Sequence, residues 1–137
     1  MSTETRQTLL PLLRARGEER LRLYERADAV RRAHMGDEVF VRGIVEFSNL
    51  CANDCAYCGI RASNRDVCRY TLGEDDILAV ARGLEARHQT TIVLQAGESE
   101  AYGDEALGRL IRRIKRETAL AVTLSVGNRP PEVYRAW

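Results

Sequence analysis

The stretch Cys51-Ala-Asn-Asp-Cys55-Ala-Tyr-Cys58, followed at once by Gly59, constrains this chain more than any other. Its C-x3-C-x2-C spacing lets one short loop turn three thiolates towards one point, whereas structural zinc sites usually collect four ligands as two separated pairs. Three thiolates on one loop suit an iron-sulfur cube with one iron left free of a side chain; an electron-carrying ferredoxin closes that position with a further cysteine at other spacings. Residues 39–48 read Val-Phe-Val-Arg-Gly-Ile-Val-Glu-Phe-Ser, rich in β-branched and aromatic residues, which predicts a strand running straight into the loop. The fold therefore has to carry a metal-binding loop directly behind a strand end.

The rest of the pattern says what kind of fold that is. Two further strands are expected at Thr91–Gln95 and Leu120–Val126. Helices are expected at about Glu74–His88, with Ile77, Val80, Ala81 and Leu84 on one face, and at about Asp104–Glu117, with Leu107, Leu110, Ile111 and Ile114 on one face. Acidic residues open both helices and Lys115 and Arg116 close the second, as the helix dipole favours. Pro130, Pro131 and Glu132 look like the first turn of another helix. Ahead of all this, residues 1–35 are helical in pattern, with Pro11 and Gly17 dividing a short segment from a longer one over Glu18–Met35. In the longer one Leu21, Leu23, Tyr24, Ala27 and Val30 form a stripe expected to be buried, and Gly36 suits the C-terminal cap. His34 near that helix end reads as a surface histidine rather than a ligand.

Strands alternating with helices build parallel sheets, either open or closed into a barrel. The expected class is α/β: about three βα units of a barrel preceded by helices, with residues 1–38 as a helical extension and 39–137 as a partial barrel domain. Period-two reading places Glu46 and Ser48, Gln95, and Ala121, Thr123 and Ser125 on one sheet face, opposite the apolar Val45, Phe47, Ile92, Leu94, Val122 and Leu124. Polar residues on three neighbouring strands suggest a cavity that takes a ligand, because burying polar groups without partners costs about 1–3 kcal/mol each.

Composition sets the surroundings. With 21 basic and 20 acidic residues the net charge is +1, so no overall field recruits nucleic acid or an anionic membrane. No apolar run approaches the roughly 18 residues of a membrane span, and the N-terminus lacks the pattern of a secretory signal. Three cysteines packed into one loop fit a metal site in a reducing compartment better than disulfides, so a cytoplasmic location is expected.

The cysteine motif, with Tyr57 just before its third cysteine, resembles that of the radical S-adenosylmethionine (SAM) superfamily. From Arg42 onward the sequence resembles in particular the FeFe-hydrogenase maturase branch of the HydE type. The matching phrases are Arg42-Gly-Ile-Val-Glu-Phe-Ser-Asn49, Tyr57-Cys-Gly-Ile-Arg61, Asn64, Arg69-Tyr70, Thr91-Ile-Val-Leu-Gln-Ala-Gly-Glu98 and Val122-Thr-Leu-Ser-Val-Gly127. Methylornithine synthase shares much of their style. The resemblance implies a TIM-like β/α barrel, a 4Fe-4S cluster held by Cys51, Cys55 and Cys58, and SAM chelated at the open iron. Tyr57 would lie beside the adenine, Ala96, Gly97 and Glu98 would form the turn whose backbone meets the methionine amine, and Thr123 and Ser125 would face the methionine or the substrate. It further implies a small-molecule or organometallic substrate, an external electron donor and other hydrogenase maturases as partners. Arg61 and Arg69 would support the loop or bind anions.

Other readings stay open. A methylornithine-synthase-like or biotin-synthase-like reaction is possible, and Cys68, ten residues after Cys58, could complete a four-cysteine electron-transfer or zinc module, although a bystander role suits its place between loop and helix better. Because a barrel needs eight βα units and only three strands are expected here, the chain reads as a fragment that is marginally stable or inactive by itself.

Overall fold

The computed structural model describes residues 3–137, which divide into two compact units, one ending at Val39 and the other spanning Phe40–Trp137. The first unit is two helices, α1 (Thr3–Arg14) and α2 (Gly17–Met35). Pro11 does not break α1, which continues to Arg14. The break falls at Ala15 and Arg16, where Arg16 is extended and its guanidinium donates to the carbonyls of Arg14 and Ala15. Gly36 caps α2 by donating its N–H to Arg32 O at 3.1 Å, as expected.

The expected burial of the α2 stripe is corrected by the structure. No residue of α2 is buried, and Leu21, Tyr24 and Val30 are 57%, 59% and 54% exposed. Within this unit only the short α1 is available as cover. Charge pairs along the helix, Arg22 with Glu18 at 3.4 Å and Arg31 and Arg32 with Asp28 at 2.9 and 3.0 Å, add the few tenths of a kcal/mol typical of exposed pairs.

The second unit has the element order β1 (Gly43–Ser48), α3 (Glu74–Ala86), β2 (Thr91–Ala96), α4 (Asp104–Glu117), β3 (Ala121–Ser125) and α5 (Pro131–Ala136). The three strands form one parallel sheet in the order β1-β2-β3, with Ile44, Val93 and Thr123 in one register row and Glu46, Gln95 and Ser125 in the next. The architecture is α/β, as the alternating pattern predicts. β1 starts four residues later than expected, and Val39, Phe40 and Val41 are exposed. The reason lies in the neighbour: β2 begins at Thr91 and Gly43 pairs with Ile92, so residues before Gly43 have no strand beside them.

One face of the sheet makes the core. Val45, Phe47, Ile92 and Leu94 are buried with Ile77, Leu78 and Ala81 of α3 and Leu107, Leu110, Ile111 and Ile114 of α4. The α4 stripe matches the sequence pattern residue for residue. On α3 the buried face is rotated: Leu78 is inside and Val80, expected inside, is exposed. Phe47 also meets the Tyr102 ring edge to face, with centroids 5.1 Å apart. Between α3 and α4, Arg113 reaches Glu74 at 3.3 Å and Asp75 at 2.9 Å, while Glu117 accepts from Arg82.

Two outcomes follow from this packing. Ile114→Ala should cost about 2–5 kcal/mol in urea unfolding, whereas Val80→Ala should stay within about 0.5 kcal/mol. Hydrogen bonding from Arg82, with Arg113 nearby, holds the Glu117 carboxyl below its ordinary value of 4.5. A depressed folded-state value means stabilisation that is present above pH 4.5 and lost as the pH falls below it. The stability difference between wild type and Glu117→Gln, followed by urea midpoints from pH 7 downward, should therefore shrink below that pH.

Candidate metal and cofactor site

The ends of the three strands approach one another at the edge where their C-termini emerge. The chain leaves β1 at Ser48, makes the long loop that carries the cysteines, and returns past Tyr70 and Thr71 before α3. Ser48 was expected to share the open face with Glu46. A register irregularity between those two residues turns it inward instead. Ser48 is 5% exposed, and its hydroxyl lies 3.2 Å from Tyr70 O and 3.0 Å from Thr71 Oγ1. It fastens the return of the loop while still lining the small cavity that Glu46 and Gln95 border.

Inside the loop each segment has its own tie. Ala52 N donates to Glu98 O at 2.7 Å, Ala62 N to Asn53 O at 2.8 Å and Ser63 N to the Asp54 carboxylate at 3.0 Å. The Ser63 interaction also holds the Asp54 pKa below its ordinary value. Cys55 and Cys58 bracket a turn closed by Cys58 N to Cys55 O at 3.0 Å. Asn64 Nδ2 donates to Gly59 O, and Arg61 donates to Cys58 O. Asn49 is the hinge: its side chain donates to Cys68 O at 2.7 Å and accepts from Tyr70 N at 2.8 Å.

β2 meets this loop through Gly97. Its N–H donates to Ser48 O at 3.3 Å, and an added Cβ would lie 2.7 Å from Cys51 Cβ and far inside contact distance of the Leu50 carbonyl oxygen. Only a residue without a side chain lets the two strand ends come this close. Glu98 continues the seam, accepting from Asn53 Nδ2 at 2.9 Å. The end of β3 joins through Gly127, whose φ of +79° and position against Glu98 leave no room for a Cβ.

The expected site residues are thus distributed as follows. Cys51, Cys55 and Cys58 are half-buried on one loop, and Cys68 is exposed. Their thiols are not assembled as a finished metal centre, since among the described residues no group of three or more His, Cys, Asp or Glu stands ready to hold an ion. Chemically, three half-buried thiols on one loop, with the Gly97 backbone packed directly against Cys51, fit an iron-sulfur group, because thiolate is its usual protein ligand. Tyr57 is 92% exposed. Ala96 pairs with Ser48, so the Ala96-Gly97-Glu98 turn borders the loop directly. Thr123 and Ser125 lie on the open face of β3, where Ser125 shares its row with Gln95 and Glu46 and Thr123 lies one row further from the loop.

Around them Glu46 and Gln95 take the cavity side that alternation gave them, joined by Tyr70 and Asn49, whose part there alternation did not show. Gln95 donates its amide to Glu46 at 3.3 Å, Tyr70 donates its hydroxyl to Glu46 O at 2.8 Å, and both border a cavity of about 70 Å³ with Asn49, Ile60 and Ala96. The three asparagines at 49, 53 and 64 were the available signal, since such side chains commonly bond to nearby backbone in loops. No helix among the described residues is long and apolar enough to cross a membrane.

Comparison with known proteins gives this edge a context. No protein-family model matches the chain. The [FeFe] hydrogenase maturase subunit HydE of Thermotoga maritima is 41% identical over 115 residues, which are 84% of this chain and 33% of that protein. The 3-methylornithine synthase of Methanosarcina acetivorans is 32% identical over 122 residues, 87% of this chain and 35% of that one. Among solved structures, that of methylornithine synthase (PylB) superposes with a TM-score of 0.80 at 26% identity, covering 91% of this chain and 37% of its own. The chain belongs to the radical SAM superfamily. Its three βα units are part of a radical SAM TIM-like barrel, the architecture implied by the strand rhythm and the motif. The chain spans about a third of the length of these radical SAM relatives.

The seam at Gly97 gives a direct test. Gly97→Ala should destabilise by about 1–3 kcal/mol through overpacking against Leu50 and Cys51. Gly59→Ala, where an added Cβ meets nothing within 4 Å, should melt like wild type.

Proposed function

We propose that this chain is the cluster- and SAM-binding part of a radical SAM enzyme that acts in maturing the active-site cluster of FeFe-hydrogenase. The observation that carries the proposal is the three-thiol loop seated on the Ala96-Gly97-Glu98 turn, in a sequence 41% identical to a protein named for that maturation. Residues 39–137 are assigned to the barrel and 1–38 to a helical extension, and binding is assigned to these 137 residues while turnover belongs to the whole protein. Three thiols kept free for a cluster suit a reducing compartment, which supports a cytoplasmic location.

Cys51, Cys55 and Cys58 would hold the 4Fe-4S cluster, leaving one iron without a protein side chain. When bound, the cluster and SAM together would supply a 5'-deoxyadenosyl radical from one electron delivered by an external donor. The protein's own part is orientation. Gly97 lets the β2 end lie against the cysteine loop, and the backbone of Ala96, Gly97 and Glu98 would receive the methionine amine. Tyr57, exposed at the loop's tip, would lie along the adenine, and aromatic faces suit that contact. Thr123 and Ser125 would line the methionine and substrate side of the open sheet face, Ser125 completing the polar row of Glu46 and Gln95. The substrate on this reading is a small organometallic precursor passed on by another hydrogenase maturase.

A second reading, a methylornithine-synthase-like reaction, is favoured by the PylB superposition. Product analysis by mass spectrometry separates the two.

The cluster assignment is tested by anaerobic reconstitution. Alanine at Cys51, Cys55 or Cys58 should remove most of the iron and sulfide and abolish 5'-deoxyadenosine formation, while Cys68→Ala should keep both. Loss of the cluster in Cys68→Ala, or four thiolates binding zinc without SAM cleavage, would overturn it.

A further inference from the structure

We infer that Arg69 is the positioning residue of the cysteine loop: its guanidinium closes the loop from within and sets the arrangement in which the three thiols receive iron. The inference rests on the cluster-binding reading only for the iron; the closure itself is a property of this chain.

One terminal nitrogen of Arg69 donates to Asn49 O at 2.7 Å and Ile60 O at 2.8 Å, and the other donates to Arg61 O at 2.7 Å and Asn64 O at 3.2 Å. Asn49 precedes the first cysteine, and the other three acceptors follow the last. A single planar group therefore ties the two ends of the loop together across all three cysteines. No carboxylate is paired with Arg69 among the described ion pairs. Its charge is met by carbonyl dipoles, and the bonds of both terminal nitrogens go to them.

The arginine is itself held at its base. Asn49 bonds to Cys68 O and Tyr70 N, and Asn49 N donates to Tyr70 O at 3.3 Å, so the backbone on both sides of Arg69 is fixed to the point where the loop begins. The geometry requires a fork. A lysine has three donors on a compact ammonium and cannot reach four carbonyls spread over two nitrogens. Charge alone is therefore not what the position supplies.

The test compares Arg69→Lys and Arg69→Ala with Arg65→Ala, an exposed arginine of the same loop, in the full chain. In the metal-free protein, hydrogen exchange at the Ala62 and Ser63 amides, which bond across the loop, should speed up at least tenfold in both Arg69 variants while the β2 amides and the urea midpoint of the core hold. After reconstitution, both Arg69 variants should lose the change that SAM makes in the electron paramagnetic resonance signal of the reduced cluster, and Arg65→Ala should retain it. Wild-type behaviour of Arg69→Lys in both measurements, which would make charge sufficient, overturns the inference, as does unchanged exchange in Arg69→Ala. If wild type itself takes up no iron, the cluster-binding reading fails, and the exchange measurement still decides the role of Arg69.

Discussion

The close approach of Gly97 to Leu50 and Cys51 is the contact on which the rest of the site depends. It joins the end of β2 to the start of the cysteine loop without an intervening side chain. From that point the Ala52 amide reaches Glu98 O and the Asn53 side chain reaches the Glu98 carboxylate. Glu98 in turn fills the space beside Gly127 at the end of β3. Three strand ends that are far apart in sequence become one wall because two positions lack a Cβ. A methyl group at either would push against backbone or against the Glu98 stem, and packed structure has little capacity to yield.

Burial explains why that wall faces an open sheet surface. The apolar face of the sheet is used up against α3 and α4, which are also strapped to each other by Arg113 with Glu74 and Asp75 and by Arg82 with Glu117. What remains on the other face is the row Glu46, Gln95 and Ser125 and the row Ile44, Val93 and Thr123. β1 and β3 are the outer strands of this sheet, so each has one backbone edge without a strand partner among the described residues. In a barrel, strand edges of this kind are closed by further strands and the open face becomes an interior. The polar residues that would be misplaced in a packed core are then in the position where a ligand can satisfy them.

Periodicity made most of this legible. The helix at Asp104–Glu117 and its buried stripe, the three strands and the division of their faces all follow from alternation and helical spacing, because each is a property of a few neighbouring residues meeting one environment. Features set by a partner elsewhere were not legible. The start of β1 is decided by where β2 begins, the burial of Ser48 by a register irregularity and by Thr71, and the exposure of Leu21, Tyr24 and Val30 by the lack of cover within their own unit. The cysteines announced the site, but its supports did not announce themselves. Asn49, Asn64 and Tyr70 act through backbone atoms of residues whose identity is irrelevant to the bond, so no side-chain pattern marks their partners.

Arginine serves the other strand-end loop in the same way. Arg129, after β3, donates to the Asp104 carboxylate at 2.8 Å, to Ser99 O at 3.1 Å and to Asn128 O at 2.9 Å, joining the turn after β2 to the start of α4 and to its own loop. Two loops that close the same edge are thus each organised by one guanidinium bonded mainly to carbonyls. The economy has a physical basis, since a loop lacking a core exposes unpaired carbonyls, and a rigid planar group with several donors satisfies them with fewer ordered rotors than separate side chains would require. Such fastening leaves the Tyr57 ring to solvent. Tyr57 and the half-buried thiols belong to a loop whose backbone is already tied, so a ligand arriving there meets a constrained frame, and most of the ordering cost of the loop has been met within the fold before anything binds.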